Sequence, residues 1–258
     1  MRNTSSGTPE QPVTVLYLPE SDKRYILERY RFYLQEARKR IFPPFADVDS
    51  AMQNYSDEWS RRAGERFNPD TDDEGDLAYQ AWEKSLTYGL LLDEMANNVR
   101  LAVIAGLHHR WEKDLRDWMV RELRHIVSSP ALAETIQKQS VTGMIRLLDA
   151  LGVPLMTQPW WPQLQTYNRI VNVFKHGPGH SLTALKRDSP EYFGIRKHPV
   201  KRDMDFVSHD DLYITETQFD GLAATVTAFW NAFPERITED MAKAPIPGWF
   251  ASLRSAQP

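Results

Sequence analysis

Three polar side chains suited to acid–base chemistry and phosphate binding recur on one face of a predicted helix. Arg169, Asn172 and His176 lie at positions i, i+3 and i+7 between Pro162 and Gly177. This spacing places a guanidinium, a carboxamide and an imidazole on the same helical face. The imidazole can take up or deliver a proton near neutral pH. The guanidinium can bind a phosphate through two hydrogen bonds.

Such a pair is sufficient for cleaving RNA without a metal ion, because the RNA supplies its own 2′-hydroxyl as nucleophile. Asn172 would orient His176 or bind a phosphate oxygen, and we expect neither a cofactor nor a metal. Four cationic residues near this face are candidate phosphate ligands: Lys175, His180, Lys186 and Arg187. One helical face makes a small active site, so a homodimer that pairs two copies would complete it. The same face also fits a solvated helix end, where a histidine is favourable through the helix dipole alone.

The charge of the 258-residue chain is uneven. Residues 160–202 contain eight Lys and Arg and two acidic residues, a net charge of +6 within a chain whose total is −4. This segment would suit an anionic substrate, although a solvated basic loop explains it equally well. The chain has no Cys, which excludes disulfides and thiolate metal sites and fits a reducing cytosol. No apolar run is long enough to span a bilayer, so we expect a cytoplasmic protein.

The rest of the chain predicts an all-α fold that holds this face in place. Apolar residues recur at helical spacing, and Pro, Gly or acidic clusters end each run. The predicted helices cover residues 21–41, 47–67, 77–127, 132–151, 162–176 and 215–233. We predict that residues 1–12 are disordered and that residues 13–258 form a single domain, an elongated bundle around a long central helix.

The segment 77–127 is the predicted central helix, either unbroken or interrupted near Gly89 or Gly106. Its apolar stripe is predicted to be buried and comprises Leu86, Leu90, Met95, Val99, Val103, Leu107, Trp111, Leu115 and Met119. On the motif helix, the predicted core residues are Tyr167, Ile170, Val173 and Phe174. The histidines of the central segment lack metal-ligand spacing and are predicted to be surface or structural residues: His108, His109 and His125.

Four connecting or terminal segments are predicted to be non-helical. Residues 68–76 are acidic and superficially resemble a calcium loop, but Ala81 stands where the bidentate Glu should be, which favours a linker to the next helix. Ser181–His209 lacks helical period and is predicted to be an irregular basic loop. We expect residues 13–18 and the proline-containing tail to be extended.

The segment from Asn168 to Gly177, which carries Arg169 and the Lys175-His176-Gly177 run, resembles the signature of HEPN-domain proteins. Their mark is an Arg followed, after four to six residues, by a His; here six residues intervene. The central segment before the motif and the aromatic helix after it are also similar to bacterial HEPN-like proteins, over about residues 77–234. The resemblance implies a helical dimer, a metal-independent endoribonuclease with His176 and Arg169 as catalytic pair and Asn172 as helper, and an antitoxin or defence-system partner.

One position departs from the commoner form of that signature. Many members carry the Arg directly before the Asn, and this position here is Val171. Arg169 precedes it by two residues and is rotated from it by roughly 200° on an α-helix. Either the site accepts the longer spacing or Arg169 has another role. The alternative to an enzyme is therefore a non-catalytic HEPN-like module that binds a nucleotide, RNA or a protein.

Overall fold

A computed structural model of the protein describes residues 13–194, 204–242 and 244–255. Within these ranges the chain is all-α, as predicted, apart from one antiparallel pair of short strands. The elements are β1 Thr14–Tyr17, α1 Glu20–Arg40, α2 Val48–Gly64, α3 Glu74–Leu123, α4 Leu132–Lys138, α5 Val141–Ala150, α6 Trp161–His176, α7 His180–Asp188, α8 Glu216–Asn231, β2 Arg236–Thr238 and α9 Gly248–Ser255. The segment 1–12, predicted to be disordered, lies outside the described residues.

Helix α3 is the predicted central helix and is unbroken over 50 residues, a length of roughly 75 Å. The Asp73 carboxylate caps its start by accepting hydrogen bonds from the backbone amides of residues 75 and 76 at 2.7 and 3.0 Å. Neither interior glycine breaks the helix. A Cβ on Gly89 would lie 2.2 Å from the Met52 sulfur of α2, and one on Gly106 would lie 2.5 Å from the Tyr33 hydroxyl of α1. Both glycines therefore serve close packing.

The two halves of α3 differ in their surroundings. The C-terminal half is covered by α1, α6 and α8, and its predicted core residues Trp111, Leu115 and Met119 are fully buried. The N-terminal half is covered mainly by α2, so its predicted burial is wrong for Leu86, Leu90 and Met95, which are 37%, 66% and 55% exposed. A helical apolar stripe indicates one packed face but does not show how much of its length has a neighbour.

The segment predicted as one helix over residues 132–151 forms two helices, α4 and α5. The Ser140 hydroxyl caps α5 by accepting from the Gly143 amide at 3.0 Å. The buried Arg116 guanidinium of α3 binds the last carbonyls of α4, including that of Gln139 at 2.8 Å. The break is therefore stabilised by a distant cation that satisfies the helix end, which the local sequence could not indicate.

The tail predicted to be extended contains helix α9, whose Phe250 side chain is fully buried. The extended prediction for residues 13–18 is confirmed, because β1 pairs antiparallel with β2 in a register that places Leu16 opposite Ile237. No strand was predicted at residues 236–238. Within the described ranges, no helix combines the length and apolar character needed to cross a membrane.

Helix α8 begins with a capping box, in which the Thr215 hydroxyl accepts from the Gln218 amide at 3.1 Å. The segment before it is fixed by the buried Asn97 of α3. The Asn97 carboxamide donates to the Leu212 carbonyl at 2.8 Å and accepts from the Ile214 amide at 3.1 Å. This side chain therefore joins the central helix to the chain that leads into α8.

Candidate functional site

The motif helix α6 begins and ends where its sequence predicts. Pro162 lies in the first turn, where a missing amide hydrogen costs no helical hydrogen bond. Gly177 ends the helix with a φ of 68°, and its amide donates to the Val173 carbonyl at 2.9 Å. A residue with a side chain is disfavoured at this φ. The abrupt end leaves His176 in the last turn.

The apolar face of α6 is largely as predicted. Tyr167, Ile170 and Val173 are buried, and the Tyr167 hydroxyl donates to the Ile104 carbonyl of α3 at 2.6 Å. The prediction is wrong for Phe174, which is 36% exposed because it lies beside the partly uncovered N-terminal half of α3.

The position that holds the Arg in the commoner HEPN signature faces the core. Val171 is only 3% exposed, whereas Arg169 is partly exposed. The Arg of this chain therefore differs from that of the commoner signature in the helical face on which it lies as well as in its spacing from the His.

His176 lies at the exposed end of the polar face, with Asn172 and Arg169 partly exposed behind it. Neither His176 nor Asn172 has a hydrogen bond or ion pair within the described part of the chain. Arg169 precedes His176 by seven residues, which corresponds to about 10 Å along the helix axis. The imidazole is thus free for a ligand but lies two turns away from the guanidinium.

The Arg169 guanidinium is held by Asp188 at the end of α7, at 2.8 Å. Arg187 binds the same carboxylate at 2.6 and 2.9 Å. The hydrogen bond from Arg187 and that from Arg169 lower the pKa of Asp188 to about 2. Two guanidiniums therefore share one permanently ionised carboxylate, and Arg169 is directed toward the end of α7 that is remote from His176.

Helix α7, His180–Asp188, covers the first part of the segment predicted to be irregular, so that prediction is wrong for residues 181–188. Gly177 and Gly179, with φ of 68° and 155°, turn the chain between α6 and α7. The prediction failed because glycines at the end of a helix are also typical of the start of a long loop. The predicted phosphate ligands His180 and Arg187 are exposed. Lys186 is hydrogen-bonded within the protein, because its ammonium donates to the Val207 carbonyl at 2.9 Å.

Four further cations of the predicted basic segment lie outside the described residues: Arg196, Lys197, Lys201 and Arg202.

A second imidazole, from His209, was missed by sequence reasoning. A Cβ built on Gly177 would lie 3.2 Å from the His209 ring, so this ring packs against the turn directly after His176. His209 also lies 3.4 Å from the Asp210 carboxylate. The two histidines are separated by 32 positions in the sequence, and no local pattern connects them.

Beneath α6, His108 of α3 is 2% exposed, and its ring lies 5.0 Å from Tyr167 and 5.2 Å from Trp111. Burial lowers its pKa to about 4, so this histidine is neutral at pH 7. Its Nε2 atom has no hydrogen-bond partner among the described residues. The predicted structural role of His108 is confirmed, while His109 and His125 lie on the surface.

Among the described residues, no cluster of three or more His, Asp or Glu side chains could hold a metal ion. Comparisons with protein-family models, with curated proteins and with solved structures found no match. The exposed and partly exposed polar side chains of α6 and α7 form the α6–α7 surface, which comprises Arg169, Asn172, Lys175, His176, His180 and Arg187.

Proposed function

We propose that the protein is a metal-independent endoribonuclease of the HEPN type, with its active site on the α6–α7 surface. The observation that carries the proposal is the exposed His176 imidazole, which has no hydrogen bond or ion pair among the described residues and lies on the same helical face as Asn172 and Arg169. Basic residues lie next to it, because Lys175 and His180 are exposed, and Arg187 is exposed at the far end of α7. Such a surface attracts the RNA phosphate backbone.

In the proposed reaction, the His176 imidazole removes the proton of an RNA 2′-hydroxyl. The resulting oxygen attacks the adjacent phosphorus, the bond from phosphorus to the 5′-oxygen breaks, and that oxygen takes a proton from water, while the His176 imidazolium returns its proton to the solvent. The products are a 2′,3′-cyclic phosphate and a 5′-hydroxyl end. Arg169 would offset the charge that develops on the phosphate oxygens, and Asn172 would bind one of them.

The separation of about two helical turns between Arg169 and His176 is best accommodated by a homodimer in which both copies contribute to one site. A candidate interface is the exposed face of α3, which continues for about 33 Å between α1 and Phe174 of α6. Its exposed residues recur at helical spacing: Leu91, Met95, Asn98, Ala102, Gly106, His109 and Lys113. An antiparallel pairing centred on Ala102 places Glu94 opposite Arg110 of the partner subunit, so the charges are complementary.

A cysteine crosslink tests this pairing directly, because the chain contains no Cys. Ala102→Cys should form a disulfide-linked dimer under mild oxidation, whereas the control Ala224→Cys, at an exposed alanine of α8, should not. Glu94→Arg should weaken the dimer in light scattering, and adding Arg110→Glu should restore it. Equal crosslinking of both cysteine variants would contradict the pairing.

The activity is tested with single-stranded RNA in EDTA. His176→Ala should reduce cleavage by at least about 100-fold, the contribution typical of a general base, without changing the circular dichroism spectrum. The matched control is His125→Ala, at an exposed histidine beyond the end of α3, which should cleave like the wild type. Cleavage that persists in His176→Ala, or that EDTA abolishes, would refute the proposal.

The resemblance also favours a cytoplasmic toxin or anti-phage effector that is restrained by an antitoxin or defence-system partner. Expression of the chain alone should then arrest growth, and His176→Ala should relieve the arrest. Arrest that is unchanged by His176→Ala would separate toxicity from RNA cleavage.

A second candidate function, a non-catalytic HEPN-like module that binds a nucleotide, RNA or a protein, is favoured by one contact. The Arg169 guanidinium forms an ion pair with the Asp188 carboxylate, as expected of an arginine with a structural role. The variant Asp188→Asn distinguishes the enzyme from the binding module. The enzyme should keep or increase its cleavage when Arg169 is released, whereas a binding module should show no turnover but a ligand-dependent rise in Tm.

A further inference from the structure

A pocket of about 350 Å³ lies on a different side of α3 from the α6–α7 surface. Its apolar walls come from Phe42 and Phe45, in the turn after α1, from Ala96 of α3 and from Phe219 of α8. The Phe42 and Phe219 rings meet edge to face at 5.4 Å. The only described cations in its lining are Arg38 and Arg100.

Arg100 is the unexplained group in this pocket. In the described part of the chain, its buried Nη1 atom has no hydrogen-bond partner, and Arg100 forms no other side-chain hydrogen bond or ion pair there. The contrast with Arg38 is clear, because Arg38 forms an ion pair with Asp220 and lies over the Phe219 ring. A buried guanidinium nitrogen without an acceptor is costly, so the position of Arg100, half-buried beside an open pocket, points to an anionic ligand.

We propose that this pocket binds a small organic acid, with its carboxylate on Arg100 and its apolar part between the Phe42 and Phe219 rings. A guanidinium binds a carboxylate through two parallel hydrogen bonds. The aromatic walls favour an apolar, flat substituent. The volume of about 350 Å³ is near the lower limit for small-molecule pockets, which restricts the ligand to one ring or a short chain.

The charge at the pocket entrance selects a monoanion. Glu216, in the first turn of α8, lines the rim, and Asp220 neutralises Arg38. Among the described residues, the lining therefore contains one cation without an ion pair, Arg100, and one carboxylate, Glu216. A dianionic phosphate would meet about twice the repulsion from Glu216 that a monocarboxylate meets, because it carries twice the charge. The site is independent of the proposed nuclease, since no residue of α6 or α7 lines it.

The proposal is tested by isothermal titration calorimetry of the full chain with 3-phenylpropanoate and benzoate as probes. At least one acid should bind with a Kd of millimolar or lower, while the neutral amide 3-phenylpropanamide and inorganic phosphate should bind at least about 10-fold more weakly. No binding by either acid, or equal binding by the amide or by phosphate, would overturn the proposal.

Variants of Arg100 provide the matched comparison. Arg100→Met should weaken binding of the acid at least 10-fold, and Arg100→Lys should weaken it less, because lysine keeps the charge but loses the planar pair of donors. Arg124→Met, at an exposed arginine at the end of α3, should bind like the wild type. The Tm of Arg100→Met without ligand should equal or exceed that of the wild type, since an unpaired buried donor is removed. If Arg100→Met binds the acid as tightly as the wild type, the assignment is wrong.

If Arg100→Met does not fold, displacement of 3-(4-fluorophenyl)propanoate, observed by fluorine NMR on the wild-type protein, replaces it. The fluorinated acid should show line broadening that unlabelled 3-phenylpropanoate reverses and that Phe45→Ala reduces. Broadening that is unaffected by Phe45→Ala places the acid elsewhere on the protein and overturns the proposal.

Discussion

The buried His108 should make the protein lose stability in mild acid. Its pKa is lowered from 6.5 to about 4 by burial beneath α6. As the pH falls below 6.5, the unfolded chain takes up a proton at this position, and the folded protein does not follow until about pH 4. The free energy of unfolding therefore decreases between pH 6.5 and pH 4, and below that range His108 causes no further loss.

The magnitude follows from the difference between the two pKa values. A tenfold change in proton affinity corresponds to about 1.4 kcal/mol. With a folded-state pKa of about 4, the loss between pH 7 and pH 4.5 that is due to His108 alone is about 2–3 kcal/mol. This is a large part of the stability of an average domain, which is about 5–15 kcal/mol.

The variant His108→Phe should remove this contribution. A phenyl ring keeps the contacts with Tyr167 and Trp111 and removes the Nε2 atom that has no partner. Its stability at pH 7 should be within about 1.5 kcal/mol of the wild type, as for other core substitutions that nearly conserve volume. Its loss between pH 7 and pH 4.5 should be smaller than that of the wild type by about 2–3 kcal/mol.

Urea unfolding followed by tryptophan fluorescence at both pH values measures these differences. His109→Gln, at the exposed neighbouring position, is the control and should lose as much stability as the wild type. If His108→Phe also loses as much as the wild type, then the folded protein accommodates a charged His108, and the argument from burial is refuted.

Two further predictions concern the connections that α3 and α5 make. Asn97→Ala should destabilise the protein by about 2–4 kcal/mol in urea unfolding, because it leaves a buried carbonyl and a buried amide before α8 without partners; a loss below 1 kcal/mol would mean that water replaces the carboxamide. Gly152→Ala should destabilise it by at least about 2 kcal/mol, since the φ is +103° and the new Cβ would lie 2.3 Å from the Met241 carbonyl oxygen. The matched Gly64→Ala, at the end of α2 with open space around it, should be neutral or stabilising by up to about 1 kcal/mol, and equal effects of the two alanines would contradict the steric explanation.

The helices that sequence reasoning located correctly carry both periodicity and explicit end signals. Helix α6 has Pro162 at its start and Gly177 after its end, and α8 has the Thr215 capping box. These signals act within one turn of the helix, so they can be recognised from the sequence without the tertiary structure. The same is true of the polar face of α6, since its residues share one helix.

The features that could not be predicted depend on contacts that are distant in the sequence. Arg116 stabilises the break between α4 and α5 from another helix, and Asp188 directs Arg169 from the end of α7. The pocket at Arg100 combines α1, α3 and α8, and His209 reaches Gly177 from beyond the end of α7. Periodicity identifies which face of a helix is apolar, but only the fold determines which charge or ring lies opposite it.

The part of α3 that is covered mainly by α2 has a consequence for every measurement of unfolding. Helix α2 and the N-terminal half of α3 form an antiparallel pair with one shared interface, in which the Tyr55 and Tyr88 rings stack at 4.4 Å. This two-helix arm can unfold progressively from its tip while the aromatic core around Trp111 stays folded. Far-ultraviolet circular dichroism would then report a gradual loss of helix before the cooperative transition, and proteases would cut the arm first.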